Sequence, residues 1–181
     1  KIKEGAISIY ADGFALYGLT EFYMATNNQE ALTLAKSTYQ FIMKQLASPG
    51  TYLTAPYPLP KGIKAHGIAM IFAHTLEEFG LAIKDQKIQK EAFDFALEIM
   101  QHFVHPQDKF VYEFIKEDNT LWDDPQGRAL VPGHGIESMW FLIHLFQNRG
   151  EKKLIKRAIN IIHHNIEIGW DQKFGGILLG L

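Results

Sequence analysis

Three times along this chain, a helix that is apolar almost all round is followed by a helix that is apolar on one side only. Residues 8–26 carry Tyr10, Phe14, Leu16, Tyr17, Leu19, Phe22, Tyr23 and Met24 with no continuous polar stripe. Such a helix is expected to be buried on most sides. After Asn27-Asn28, residues 29–47 place Leu32, Ala35, Tyr39, Ile42 and Leu46 at three- and four-residue spacing, with Lys36, Ser37, Gln40 and Lys44 between them. That pattern gives an amphipathic helix facing solvent. Residues 63–83 and 87–103 repeat the pair around the turn Lys84-Asp85-Gln86, and residues 135–147 and 152–168 repeat it around Asn148-Arg149-Gly150. Few architectures satisfy this alternation, because each buried helix needs neighbours on several sides while each amphipathic one closes the outside.

The inner helices also begin alike. Asp12-Gly13-Phe14-Ala15, His66-Gly67-Ile68-Ala69 and His134-Gly135-Ile136-Glu137 each set a polar side chain and a glycine ahead of an apolar run. The repeat recurs at roughly 60 residues, longer than most solenoid periods. It predicts helical hairpins around an axis, with the inner helices parallel and their N-termini gathered at one end. Unpaired N–H groups there would form a polar bowl suited to hydroxyls and to a developing oxyanion.

Composition narrows the function. The 181 residues carry 18 Lys+Arg against 20 Asp+Glu, a formal charge of −2, and 47% are hydrophobic. A chain of this size and balance reads as one domain or part of one, with no second domain. Little counterion release is available to drive nucleic-acid binding. The absence of cysteine excludes a disulfide scaffold, a thiolate metal site and a cysteine nucleophile. No run approaches the ~20 apolar residues of a membrane span, and no signal peptide is visible; a cytoplasmic location is the expectation. The chain starts at Lys1 and stops within Ile177–Leu181, and it is read as a fragment.

The linkers read as extended or β. Residues 48–60, with Pro49, Pro56, Pro58 and Pro60, are not expected to be helical. Lys109–Phe114 and Asn119–Trp122 flank a turn at Lys116-Glu117-Asp118, and a second turn falls at Asp171–Gly176.

The sharpest candidate for chemistry is Val131-Pro132-Gly133-His134-Gly135-Ile136-Glu137. Pro132 and Gly133 make a turn that puts His134 in the first turn of a helix, with Glu137 three residues on over the same face. The helix start is expected to push this imidazole toward its neutral, base-competent form, and Glu137 is a candidate to orient the ring. The spacing fits equally well a capping histidine beside a solvated acid. Lys64 and His66 stand at the equivalent point of the second hairpin, as a binder of substrate oxygen and a second polar wall, or as an exposed lysine and a packed histidine. Arg128 and Glu113 are candidates for the same bowl or plain surface charges. His102 and His105 lack a nearby acid for zinc, His163 and His164 diverge on a helix, and His74 and His144 read as core residues. Trp122 and Trp140 are open as flat faces for a sugar or as core. No metal site is expected.

Ile9-Tyr10-Ala11-Asp12-Gly13-Phe14, Pro132-Gly133-His134-Gly135-Ile136-Glu137-Ser138-Met139-Trp140-Phe141 and Gly169-Trp170-Asp171 with Gly175-Gly176 resemble the N-acylglucosamine 2-epimerase family, in the right order from about Ile9 to Gly176. The resemblance implies an all-α (α/α)6 barrel, of which three hairpins would be the middle portion. It implies that His134 is one of two histidines that remove and return the C2 proton of a ring-opened sugar, with Glu137 its motif partner. The other histidine, an arginine and a further glutamate of the family fall outside this chain. Lys64 and Met70 match the lysine and methionine of the acylglucosamine branch; Glu113 falls in its tyrosine-glutamate segment and Arg128 in the Gly-Arg ahead of the PGH motif. Substrate contacts are therefore expected from Lys64, His66, Met70, Glu113, Arg128 and Trp140. Disaccharide epimerases and aldose–ketose isomerases of the family carry a histidine where this chain has Ile68, which argues against a cellobiose-type enzyme.

The implied reaction interconverts N-acyl-D-glucosamine and N-acyl-D-mannosamine, without a required cofactor and with ATP as an activator in that branch. The implied partners are a sugar substrate and a second copy in a homodimer, with no nucleic acid and no membrane. The alternatives are an aldose–ketose isomerase, a 2-epimerase of unmodified sugars or disaccharides, and a sugar-binding relative without activity. A glycoside hydrolase would need facing carboxylates, and Glu113, Asp124 and Glu137 form no recognisable pair.

Overall fold

The computed structural model describes residues 8–48, 52–54, 56, 58–107 and 109–181. Much of the proline-rich linker, including Pro49, lies outside the described residues. The element order is α1 (Ile9–Thr26), α2 (Gln29–Leu46), β1 (Ile63–Ala65), α3 (His66–Ala82), α4 (Gln86–Glu98), a π-helical turn (Ile99–Phe103), β2 (Phe114–Lys116), α5 (Pro132–Arg149) and α6 (Lys152–Gly169). The chain divides into two compact units, Lys1–Lys61 with Thr75–Ala92, and Gly62–His74 with Phe93–Leu181.

The first unit is built on the α1–α2 hairpin. Asn27 takes the left-handed conformation (φ 56°) that ends α1, and Asn28 caps α2 by accepting from the Ala31 N–H at 2.9 Å. Asparagine tolerates the first position and suits the second because its short amide bonds locally to backbone. Leu16, Ala35 and Ile42 are fully buried. Contrary to the expectation for an all-apolar helix, Phe14, Phe22 and Met24 of α1 are more than half exposed. The helix meets α2 along one face, and no described element covers these three.

The second unit holds the residues singled out above. Residues 63–83 are not one helix: Gly62 (φ 80°) releases the chain into β1, which pairs antiparallel with β2 in the register Ile63↔Lys116, Lys64↔Ile115, Ala65↔Phe114. α3 then starts directly at His66, whose N–H donates to the Glu113 carbonyl at 2.9 Å. The β2 end turns back at Asn119 (φ 68°), with Lys116 N–H donating to Thr120 O at 2.9 Å and a bridge from Ile115 to Leu121. The expected hairpin is therefore present as a turn, but its main partner is β1. Similarly, the helix expected through Phe103 loses α-helical register at Ile99, and the π turn carries it into a bridge between Val104 and Val111.

α5 and α6 approach closely where glycine allows it. A Cβ on Gly135 would lie 2.5 Å from Asn165 Oδ1, and one on Gly169 would lie 2.6 Å from Pro132 Cβ. The segment beyond α6 folds back on the start of α5. Asp171 N–H donates to Gly176 O, and Leu130 and Leu181 exchange backbone bonds at 3.1 and 3.0 Å. The two glycine-bearing motifs are thus parts of one packed corner, and that corner fixes where α5 begins.

Candidate active site

Four side chains from three elements meet at the start of α5. His134 sits in the first turn of that helix, and its Nδ1 lies 3.0 Å from Oε2 of Glu113, the residue preceding β2. The other Glu113 oxygen, Oε1, is 3.9 Å from Nδ1 of His66 at the first position of α3. His66 Nε2 is 3.0 Å from the hydroxyl of Ser138, one turn into α5. The β1–β2 pairing brings Glu113 beside His66, and the α5–α6 corner brings His134 and Ser138 to them.

Burial is graded across the cluster. His66 and Ser138 are fully buried and the Glu113 side chain is 9% exposed, whereas the His134 side chain is 46% exposed. Only one imidazole of the pair therefore faces outward. Burial alone would raise the Glu113 carboxyl, but the hydrogen bond from His134 and the His66 imidazole outweigh it and hold the group at about 2. The same hydrogen bond raises His134 above its ordinary value, against burial, with the charges of Glu113 and Glu137 adding to it. This corrects the expectation drawn from the helix start. The helix N-terminus disfavours imidazolium, but a carboxylate in direct contact is the stronger local charge.

An ionised carboxylate only accepts hydrogen bonds, so the proton of neutral His134 sits on Nδ1 and Nε2 is left as the basic nitrogen. The arrangement can take a proton at Nε2 and carry the charge against Glu113. Glu137, expected as the orienting acid, makes no described hydrogen bond to this ring and acts on it by charge alone.

The remaining candidates lie elsewhere. Lys64 binds Glu98 Oε1 at 2.5 Å and Asn119 Oδ1 at 2.6 Å, so its ammonium is already ion-paired and hydrogen-bonded. With Asp94, Gln101 and His102 these residues line a shallow open pocket of about 320 Å³. Met70 is a core residue at 5% exposure and offers no surface to a substrate. Arg128 forms an exposed ion pair with Asp123. Trp140 is 44% exposed and packs edge-on against Phe141 and His144. His74 stacks on Phe141 at 4.1 Å, and His144, expected in the core, is exposed. Trp122 packs edge-on against Phe114, and His164 pairs with Glu167 at 3.6 Å. Among the described residues, no three His, Asp or Glu side chains converge as metal ligands, and no helix is long and apolar enough to cross a membrane.

Ser138 was not anticipated. Its signal was available, since it lies four residues after His134 and so on the same face of α5.

The family model for N-acylglucosamine 2-epimerase (GlcNAc 2-epimerase) matches residues 2–181. The chain is 26% identical over 171 residues to cellobiose 2-epimerase of Dictyoglomus turgidum, covering 84% of this chain and 42% of that protein. It is 25% identical over 174 residues to N-acylglucosamine 2-epimerase of Bos taurus, covering 94% of this chain and 41% of the relative. The solved structure of cellobiose 2-epimerase from Bacillus thermoamylovorans B4167 superposes with a TM-score of 0.76 at 20% identity, over 95% of this chain and 47% of the other. That likeness shows the fold: the chain has the architecture of part of an (α/α)6 barrel. It spans about two fifths of the length of the curated relatives it matches.

Proposed function

Because the chain belongs to the N-acylglucosamine 2-epimerase family, we propose that it serves a sugar 2-epimerase and that His134 is one of its two acid–base groups. The substrate is the open-chain form of a sugar, whose C2 hydrogen is acidified by the adjacent C1 carbonyl. Nε2 of His134 takes that proton, the electron pair of the broken C2–H bond forms a C1=C2 double bond, and the carbonyl π pair moves onto the C1 oxygen, giving an enolate (an enediolate where C2 carries a hydroxyl). A second acid–base group on the opposite face, which the resemblance puts in family segments this chain does not match, returns a proton to C2 and inverts it. Donors around the C1 oxygen carry the developing charge. The observation that supports this reading is the 3.0 Å contact between His134 Nδ1 and the buried, ionised Glu113. It fixes the tautomer that leaves Nε2 basic, and it stabilises the imidazolium formed when Nε2 takes the proton.

The substrate pair we propose is N-acyl-D-glucosamine and N-acyl-D-mannosamine, on the family's name and on Ile68 standing where disaccharide epimerases carry a histidine. Lys64 and Met70 do not strengthen it, since one is ion-paired and the other buried. A second reading, epimerisation or isomerisation of an unmodified sugar or disaccharide, is favoured by the likeness to the Dictyoglomus turgidum protein. The resemblance extends the proposal to a cytoplasmic homodimer with no required cofactor and ATP as an activator. The test is turnover of the full-length protein in D2O with each sugar. Deuterium is expected at C2 of recovered substrate and product, and His134→Ala is expected to abolish its entry while the protein stays folded. Turnover without deuterium at C2 would overturn the mechanism, and full activity in His134→Ala would remove His134 from it.

A further inference from the structure

The reading above uses one of two imidazoles beside Glu113 and leaves the other unexplained. His66 has no exposed surface, and its ring lies against Phe103 with centroids 5.8 Å apart. Its Nε2 is bonded to Ser138, but its Nδ1 has no hydrogen-bond partner among the described residues, and neither has Oε1 of Glu113. Two buried polar atoms without partners are costly, and these two lie 3.9 Å from each other. One is a carboxylate oxygen, so the ring nitrogen nearest it carries its proton, since two lone pairs would repel. Ser138 then donates to Nε2, which the same tautomer leaves as an acceptor. Serine hydroxyl, imidazole, carboxylate and outer imidazole thus form one chain in which each member fixes the state of the next.

We propose that His66 is a positioning residue of this site: locked by Ser138, it directs Nδ1–H at the free oxygen of Glu113 and moderates how strongly that carboxylate holds the proton of His134. Negative charge drawn toward His66 is no longer available at Oε2. At 3.9 Å the interaction is electrostatic rather than a formed hydrogen bond, and a contraction of about 1 Å would complete it. The titratable groups facing the chain are Glu113 from the approach to β2, His66 from α3, and His134 with Glu137 from α5. Lys64, two residues before His66, is committed to Glu98 and Asn119. The proposal rests on His134 acting in acid–base chemistry, but its test does not need turnover.

The experiment is an NMR titration of His134 in the full chain, with histidine labelled at Cε1. His66→Phe keeps a ring against Phe103 and removes both nitrogens. It is expected to raise the His134 midpoint by about half a pH unit, about threefold in proton affinity. His66→Asn, whose amide nitrogen returns a donor near the Nδ1 position, is expected to bring the midpoint back. Ser138→Ala, which removes one atom and serves where His66→Phe fails to fold, is expected to give a smaller rise. A His134 midpoint that stays fixed in the folded variant overturns the proposal, and so does an equal shift in His66→Phe and His66→Asn. An unmoved midpoint with intact C2 exchange sinks the positioning role alone. A moved midpoint in the variants, with no C2 exchange by the parent protein, supports the relay and sinks the epimerase reading.

Discussion

Replacing Glu113 by glutamine changes one charge and almost no volume, at the residue on which the proposed chemistry depends. In the folded protein, Oε2 of Glu113 lies 3.0 Å from His134 Nδ1. Unit charges at that separation attract by about 1.4 kcal/mol even with the dielectric constant of bulk water. The screened figure is the appropriate one, because the His134 side chain is 46% exposed. It corresponds to about one pKa unit. Glu113→Gln is therefore expected to lower the His134 midpoint by about one unit, leaving the helix N-terminus and burial to set it. An amide can also offer either oxygen or nitrogen to the ring, so the tautomer with a basic Nε2 is no longer enforced. Activity is expected to fall about tenfold or more, a part of the roughly 10²–10⁴-fold that a positioned acid–base group contributes. The assay is the pH dependence of kcat/KM, read as deuterium entry at C2, beside an NMR titration of His134. The low-pH limb should extend about one unit further into acid while the plateau drops. A profile superimposable on that of the parent, or a midpoint that rises, would refute the coupling.

Two further outcomes follow from the packing and the charges. Gly135→Ala puts a methyl 2.5 Å from Asn165 Oδ1 and is expected to cost about 1–3 kcal/mol by overpacking the α5–α6 contact. It should lower Tm, with partial recovery in Gly135→Ala/Asn165→Ala; an unchanged Tm would mean the helices separate freely. The depressed carboxyl of Glu113, about 2 against a usual 4.5, gives stability that is complete above pH 4.5 and lost as pH falls toward 2. Urea midpoints between pH 6 and pH 2 should fall less steeply in Glu113→Gln than in the parent, by on the order of a few kcal/mol in stability, and parallel curves would contradict it.

The helices were legible because their signals are local. The Asn27-Asn28 turn, the glycine after Arg149 and the three- and four-residue apolar spacing of α2, α4 and α6 each act within one or two turns of chain. What escaped was decided at longer range. Ile63–Ala65 looks like the start of an apolar helix until β2, some 50 residues later, offers it a partner. The π turn at Ile99–Phe103 leads into Val104, which bridges to Val111, a pairing that helical periodicity does not register. Of the candidate residues, His134, Glu113 and His66 do meet. Lys64 and Arg128 were drawn off by Glu98 and Asp123, carboxylates whose reach no spacing rule encodes. Met70 was expected to touch substrate, but it lies within Ile68–Ala73, a run of α3 in which every residue is buried.

The histidine itself shows why a motif alone misjudges chemistry. Read within its own segment, His134 has a helix N-terminus beneath it and one acid a turn away, a setting that favours the neutral ring. The carboxylate that reverses this lies 21 residues earlier, outside the helix, and reaches the ring because β1 and β2 pair and α5 packs on α6. Each of those contacts has its own sequence requirement: Gly62 to release β1, Gly135 and Gly169 to let the helices close. The proton affinity of one exposed imidazole is therefore a property of the folded unit. A substitution that opens the α5–α6 corner should lower that affinity without touching the ring or its partner, as the ring draws away from Glu113 and reverts to the field of its own helix.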